Sequence, residues 1–229
     1  MRVIVFALLS VLTACSSTTN AGPSGGSSSG SAADGGPPPP ADGGSSGGDG
    51  STTVPPPSSA EANVDLDGTC PAFDACGGAP QGTYDYAGGC IADALSSVKA
   101  QCPTVDGSGL KVTVRGSLTF LGNALTRDAV AITSGTIVLP APCSQGQCAT
   151  VESALKTAFD TATCTGTTAC TCTVTRTDTT KNATTFAVAG TTLTTADGDS
   201  YAICSAASSL KYQGKSAGAE DGLWELNKR

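Results

Sequence analysis

Leu110-Lys111-Val112-Thr113-Val114-Arg115-Gly116-Ser117-Leu118-Thr119-Phe120 decides the fold. Leu110, Val112, Val114, Gly116, Leu118 and Phe120 stand at strict period two, with Lys111, Thr113, Arg115 and Thr119 between them. Side chains alternate between the two faces of a strand, so this spacing predicts a strand with one apolar face buried and one polar face wet. Gly116 predicts a bend or bulge midway, the device that lets a sheet curl. Leu121-Gly122-Asn123 is the expected turn into the next strand.

Shorter strands are expected on both sides of this segment. The upstream one covers Thr83 to Ala87, and Leu125 to Ala129, Thr136 to Leu139 and Thr171 to Thr177 follow it. The rest are Thr184 to Ala189, Thr191 to Thr195, Ser200 to Cys204, Leu210 to Tyr212 and Leu223 to Leu226. Gly190 and Asp197-Gly198 separate consecutive runs, as hairpins require. Ile91, Ala94, Leu95 and Val98 recur at helical spacing, as do Val151, Leu155, Ala158 and Phe159. Many short strands joined by tight turns predict a mainly β fold, an antiparallel sandwich or closed barrel, with one or two short helices.

The N-terminal part has a different composition. Met1-Arg2 is followed by the apolar run Val3 to Leu9 and then Val11-Leu12-Thr13-Ala14-Cys15. A cationic start, a short apolar core and small residues before a cut site predict a secretory signal over residues 1–14. The run is too short to span the roughly 30 Å hydrocarbon core of a membrane. Leu12-Thr13-Ala14-Cys15 also resembles the lipobox of bacterial lipoproteins. The resemblance implies cleavage before Cys15 and diacylglyceryl and amino-terminal acyl chains on that cysteine. The rival reading is an ordinary signal cut at Ala14 or later. In the Gram-negative lipoproteins this segment resembles, Asp after the cysteine goes with inner-membrane retention. Ser16 stands there instead, so the resemblance implies the outer membrane of the cell envelope.

Residues 16–62 are almost entirely Ser, Gly, Pro, Ala, Thr and Asp, with Pro37 to Pro40 and Pro55-Pro56-Pro57 among them. Such a composition buries too little apolar surface to offset chain ordering. Residues 15–62 are therefore read as the lipidated cysteine and a tether spanning about 38 Å as a flexible coil. A glycosylated stalk is the alternative. Residues 63–229 form the expected cysteine-rich domain; its strand-rich composition from about residue 69 onward leaves roughly 160 residues, enough for a core of its own.

Setting Cys15 aside leaves ten of the 11 cysteines: Cys70, Cys76, Cys90, Cys102, Cys143, Cys148, Cys164, Cys170, Cys172 and Cys204. An even set in an exported domain predicts up to five disulfides of undetermined pairing. Gly146 would allow Cys143 to close on Cys148. Cys170-Thr171-Cys172 is expected to send its sulfurs to opposite faces of a strand, hence to different partners. A zinc site is disfavoured, because the chain has no histidine and no paired C-x-x-C spacing.

A family likeness runs through the same segment. Cys76-Gly77-Gly78, Gly82-Thr83-Tyr84 and Cys90 resemble the opening of a group of cysteine-rich Gram-negative, myxobacterial-type lipoproteins. Ser117-Leu118-Thr119-Phe120, Leu139-Pro140-Ala141-Pro142-Cys143, Cys170-Thr171-Cys172 and Tyr201-Ala202-Ile203-Cys204 with Leu210 continue the likeness. The resemblance implies a lipocalin-like β-barrel of about eight strands whose base is closed by a Gly-x-Trp motif. Tyr84 replaces that Trp here.

Chemistry-bearing motifs are few. The absence of histidine removes the commonest general base, and the carboxylates are scattered over turns. No phosphate loop or dinucleotide fingerprint is present, so no cofactor and no enzyme activity are expected. The net charge of −7 with no basic stripe argues against nucleic acid and anionic lipid head groups. Asn63-Val64-Asp65-Leu66-Asp67-Gly68 with Asp74 approximates a calcium loop, but an Asn opens it and Cys70-Pro71 interrupts it. An acidic junction is the preferred reading, and no metal is expected. Asp197-Gly198-Asp199 reads as a hairpin turn, and Asn182-Ala183-Thr184 fits a glycosylation sequon best taken as the loop before a strand. Trp224 and Tyr84 are expected to line or plug the barrel. The leading functional expectation is a barrel holding a small apolar or amphipathic ligand, and the alternative is a structural or interaction protein of the envelope with a packed core and no ligand.

Overall fold

The computed structural model describes residues 56–229, apart from 67, 93, 101 and 217–221. Cys15, the signal segment and most of the tether lie outside the described residues. Ten strands dominate: β1 (Ala62–Asp65), β2 (Gly82–Cys90), β3 (Asp106–Leu121), β4 (Ala124–Leu139), β5 (Thr161–Thr165), β6 (Cys170–Ala189), β7 (Thr192–Thr195), β8 (Ser200–Ser205), β9 (Ser209–Gly214) and β10 (Leu223–Lys228). Three short helices accompany them: α1 (Ser96–Lys99), α2 (Ala141–Ser144) and α3 (Cys148–Leu155). The expectation of a mainly β chain is met.

The alternation in β3 does what its period implies. Leu110, Val112, Val114, Leu118 and Phe120 are all buried, while Lys111 is exposed. Thr119 departs from the pattern and is buried at 3 % exposure. Its hydroxyl meets that of Thr83 at 3.1 Å on the neighbouring β2. The ladder shows no bulge at Gly116. Arg115↔Val130, Gly116↔Ala129 and Ser117↔Asp128 form an unbroken ladder, although Gly116 has φ +121° and a Cβ there would lie 2.1 Å from the Asp128 carbonyl oxygen. Only a residue lacking Cβ fits at such a φ and approach.

Two pairs of expected strands are single long ones. Leu125 to Ala129 and Thr136 to Leu139 are parts of β4, and Thr171 to Thr177 and Thr184 to Ala189 are parts of β6. Ser134-Gly135 looks like a turn, yet Gly135 takes φ +133° within the strand and passes close to Gly109. Asn182-Ala183-Thr184 likewise lies inside β6, paired to β4 through Asn182↔Arg127, and is not a loop.

Strand pairing closes on itself. β3 pairs with β4 and with β2, β2 with β10, and the order β10-β9-β8-β7-β6 continues by antiparallel neighbours. β6 then pairs back to β4 over Ala124↔Thr185 to Leu139↔Cys170, completing a closed ring of strands. β1 fills the wedge where β2 and β3 part. It lies parallel to β2 at Val64↔Gly89 and antiparallel to β3 at Ala62↔Val114. β5 is an outlier, paired among the described strands with β6 alone, through Thr161↔Thr175 to Thr165↔Thr171.

Two apolar clusters result. The larger sits within the ring and gathers Tyr84, Tyr86, Phe120, Tyr201, Tyr212 and Trp224 with aliphatic neighbours. The smaller joins Leu110, Ile137, Leu155, Ala162 and Val174 to Cys102, Cys148, Cys170 and Cys172. It lies where the ends of β4 and β6 meet β5 and α3.

Candidate functional site

The interior of the ring is the place that the barrel expectation marks as a site. Inward phase at period two brings Leu118 and Phe120 from β3, Leu125 and Arg127 from β4, and Tyr201 and Ile203 from β8 to one another. Leu193, Leu210 and Tyr212 complete the lining of a cavity of about 20 Å³. That volume is on the scale of one water molecule. The space around it is filled by rings. Phe120 meets Tyr84 edge-on at 5.8 Å and Phe186 at 5.2 Å, and Tyr201 meets Tyr212 at 5.6 Å. Aromatic pairs prefer this T-shaped geometry because the positive ring edge faces the negative ring face.

The two expected aromatics are core residues, each only 1 % exposed. Trp224 packs against Tyr86 at 5.8 Å and lies over Tyr212 at 6.5 Å. Tyr86 and Tyr212 share a hydrogen bond between hydroxyls, 3.1 Å apart and buried. Lys228 Nζ stands 5.8 Å from the centre of the Tyr84 ring, and the Gln81 backbone N–H donates to the Tyr84 hydroxyl.

Arg127 is the residue that sequence reading missed here. It is 8 % exposed and lines the cavity. Its signal was in the alternation all along: Leu125, Arg127, Ala129 and Ala131 share the inward phase of β4, and all four are buried.

All ten domain cysteines pair: Cys70–Cys90, Cys76–Cys204, Cys102–Cys143, Cys148–Cys170 and Cys164–Cys172. Cys143 does not close on Cys148. Cys102, between α1 and β3, takes the former, and Cys170 at the start of β6 takes the latter. The expectation for Cys170 and Cys172 was also mistaken in its geometry. Residues two apart share a face, so both point into the smaller core at 0 % exposure, and Thr171 between them is exposed. Their partners do differ.

The calcium-like segment begins inside a strand. Asn63 and Asp65 belong to β1, Asp65 accepts from the Ile91 backbone N–H through its carbonyl, and Asp67 lies outside the described residues. Among the described residues no cluster of three His, Cys, Asp or Glu is placed to hold a metal. Gly198, with φ +89°, turns the chain between β7 and β8, as the Asp-Gly-Asp sequence implies.

One carboxylate has a defined structural task. Glu152 on α3 accepts from the backbone N–H of Cys164 on β5 at 2.9 Å and from Lys156 Nζ. Lys156 first, then the Cys164 amide, holds the Glu152 carboxyl below its ordinary value of 4.5. A carboxyl lowered on folding adds stability above the unfolded value, and that stability is lost as pH falls through the folded value. Glu152→Gln is therefore expected to flatten the acid limb of the stability–pH curve, with little change in its shape at neutral pH. Urea unfolding of both chains across the acid range checks this. An unaltered acid limb would deny Glu152 the role.

No protein-family model matches the chain, and no curated protein and no solved structure matches it.

Proposed function

We propose that this chain is a lipid-anchored cell-envelope lipoprotein, most simply of the outer membrane, whose domain is a lipocalin-like barrel of about eight strands acting through its outer surface. In this reading Cys15 carries the lipid, residues 16–62 hold the domain clear of the membrane, and no enzyme activity is involved. The observation that carries it is a cavity within the ring that, among the described residues, measures about 20 Å³ and is lined by packed aromatic and aliphatic side chains and Arg127. Sites for drug-sized ligands run to several hundred Å³. A small apolar ligand in the barrel, the rival reading, would need Phe120, Tyr201 and Tyr212 to move apart at the cost of their mutual packing. Five disulfides suit a rigid module outside a reducing compartment.

Mass spectrometry of the protein extracted from its native membrane tests both halves. The expected result is a triacylated cysteine at the N-terminus and no stoichiometric small molecule released on unfolding. Cys15→Ser is expected to move the mature chain from the membrane to the soluble fraction. Membrane retention of Cys15→Ser at full yield would sink the lipid anchor, and a co-purifying small molecule would restore the ligand reading.

A further inference from the structure

β6 is twenty residues long, and its two edges are not treated alike. One edge pairs with β4 without interruption from Cys170 to Thr185. The other pairs with β5 over Thr171 to Thr175 and with β7 over Phe186 to Ala189. Asp160 closes the β5 end by accepting from the Thr177 N–H at 2.7 Å. Ala196 closes the β7 end by donating to the Thr185 carbonyl at 2.9 Å. Between these two stops no described strand covers residues 178–184.

The ladder fixes which groups face that opening. In an antiparallel pair, opposed residues alternate between exchanging both backbone hydrogen bonds and pointing both groups away. The Thr177 N–H and the Thr185 carbonyl point away from β4. In an unbroken register Thr179, Lys181 and Ala183 do the same. Their three N–H and three C=O groups therefore face outward along one line, and all three residues are exposed. An edge of this kind is a template for another strand.

We infer that residues 178–184 form a slot for one extended strand of a partner protein, taken antiparallel to β6 and collinear with β5 and β7. The inference rests on the reading of the domain as a surface-acting module, and it names the partner chemistry. The two stops limit the incoming strand to about seven residues, or roughly 23 Å. Charge sets its centre. Lys181 is the outward-facing cation of the slot, with its side chain 78 % exposed beside Asp128 at 3.2 Å. The exposed Asp160 and Asp197 stand near the two ends. An acidic residue at the middle of the strand and none at its ends is the complementary pattern. A second copy of β6 fits worse, because symmetric antiparallel pairing about the middle of the slot sets Lys181 against Lys181 of the copy.

The test is amide hydrogen exchange by NMR on the full mature chain. The probe is the end-blocked peptide Thr-Val-Thr-Glu-Thr-Val-Thr, with a control carrying Lys at its centre. In the free chain Thr179, Lys181 and Ala183 should exchange fast, and Thr180 and Asn182, bonded to β4, slowly. Saturating peptide should slow the three odd-numbered amides by about tenfold or more. The Glu peptide should bind more tightly than the Lys control, and Lys181→Glu should reverse that order. Extending the peptide past seven residues should add no protection. Unchanged exchange at millimolar peptide would overturn the proposal. So would odd-numbered amides already protected in the free chain at every dilution, which would mean that the chain covers its own slot. Protection that grows with protein concentration alongside dimerisation would assign the edge to a second copy and overturn it as well. None of these outcomes depends on the lipid on Cys15 or on the filling of the ring, so each proposal can fail alone.

Discussion

Replacing Cys76 and Cys204 together by serine is expected to destabilise the domain more than removing any other single bridge. This disulfide closes the longest loop of the five, with a sequence separation of 128. Chain-entropy reasoning makes such a closure worth about 5 kcal/mol, against about 2.5 kcal/mol for Cys164–Cys172 with its separation of 8. The difference arises in the unfolded chain, which a long cross-link confines more than a short one. Local structure reinforces the bridge in the folded state. The Gly77 N–H donates to the Ile203 carbonyl and the Ser205 N–H to the Gly77 carbonyl, both at 2.8 Å, so the segment before β2 is zipped to β8. Cys76 is exposed and Cys204 half-buried, so serine at these positions adds little cost from burying a hydroxyl. Urea unfolding should show a lower midpoint and a steeper slope, since an unfolded chain without the bridge exposes more surface. A loss below about 1 kcal/mol would mean that the denatured chain is compact without the bridge, and that the entropic account fails here.

Trp224→Ala is the second large effect. Trp224 is 1 % exposed and bridges β10 to Tyr86 on β2 and Tyr212 on β9. Truncating a buried Trp typically costs about 3–5 kcal/mol, the lost transfer energy plus a term for the cavity left behind. The variant has a second use. It enlarges an interior that holds a cavity of only about 20 Å³, and so creates the kind of space a ligand-binding barrel would have. If function resides on the outer surface, Trp224→Ala should lose stability yet keep any surface interaction at temperatures where it stays folded. Circular dichroism is the suitable monitor, because the chain has a single Trp and the variant has none. A stability loss under about 1 kcal/mol would contradict the packed interior described above.

Legibility differed sharply between elements. β3 was plain because six apolar or glycine positions hold one phase over eleven residues, and no helix shows that pattern. β5, Thr-Ala-Thr-Cys-Thr, and β1, Ala-Asn-Val-Asp, went unrecognised. Both are short and nearly free of large apolar side chains. Each exists because a longer neighbour offers it an edge: β6 for β5, and the wedge between β2 and β3 for β1. The helical spacing from Ile91 to Val98 yields only the four residues of α1, which five residues separate from the end of β2. Arg127 stands in the inward phase of β4, a phase its residue type rarely occupies.

The sequence by itself determined the β character of the domain, the phase of its principal strands, the turns at Gly122, Gly190 and Gly198, and an even set of ten domain cysteines. These are local properties: a period of two, a glycine at a positive φ, a count. Tertiary structure alone decided the return of β6 to β4, the insertion of β1, the five cysteine partners and the filled interior. It also left an open stretch of β6 between β5 and β7. Each of these joins residues far apart in the chain, such as Ala124 to Thr185 or Cys76 to Cys204. Local patterns carry no record of which distant strand will offer the matching edge, because that choice minimises exposed apolar surface and unpaired backbone over the whole domain at once.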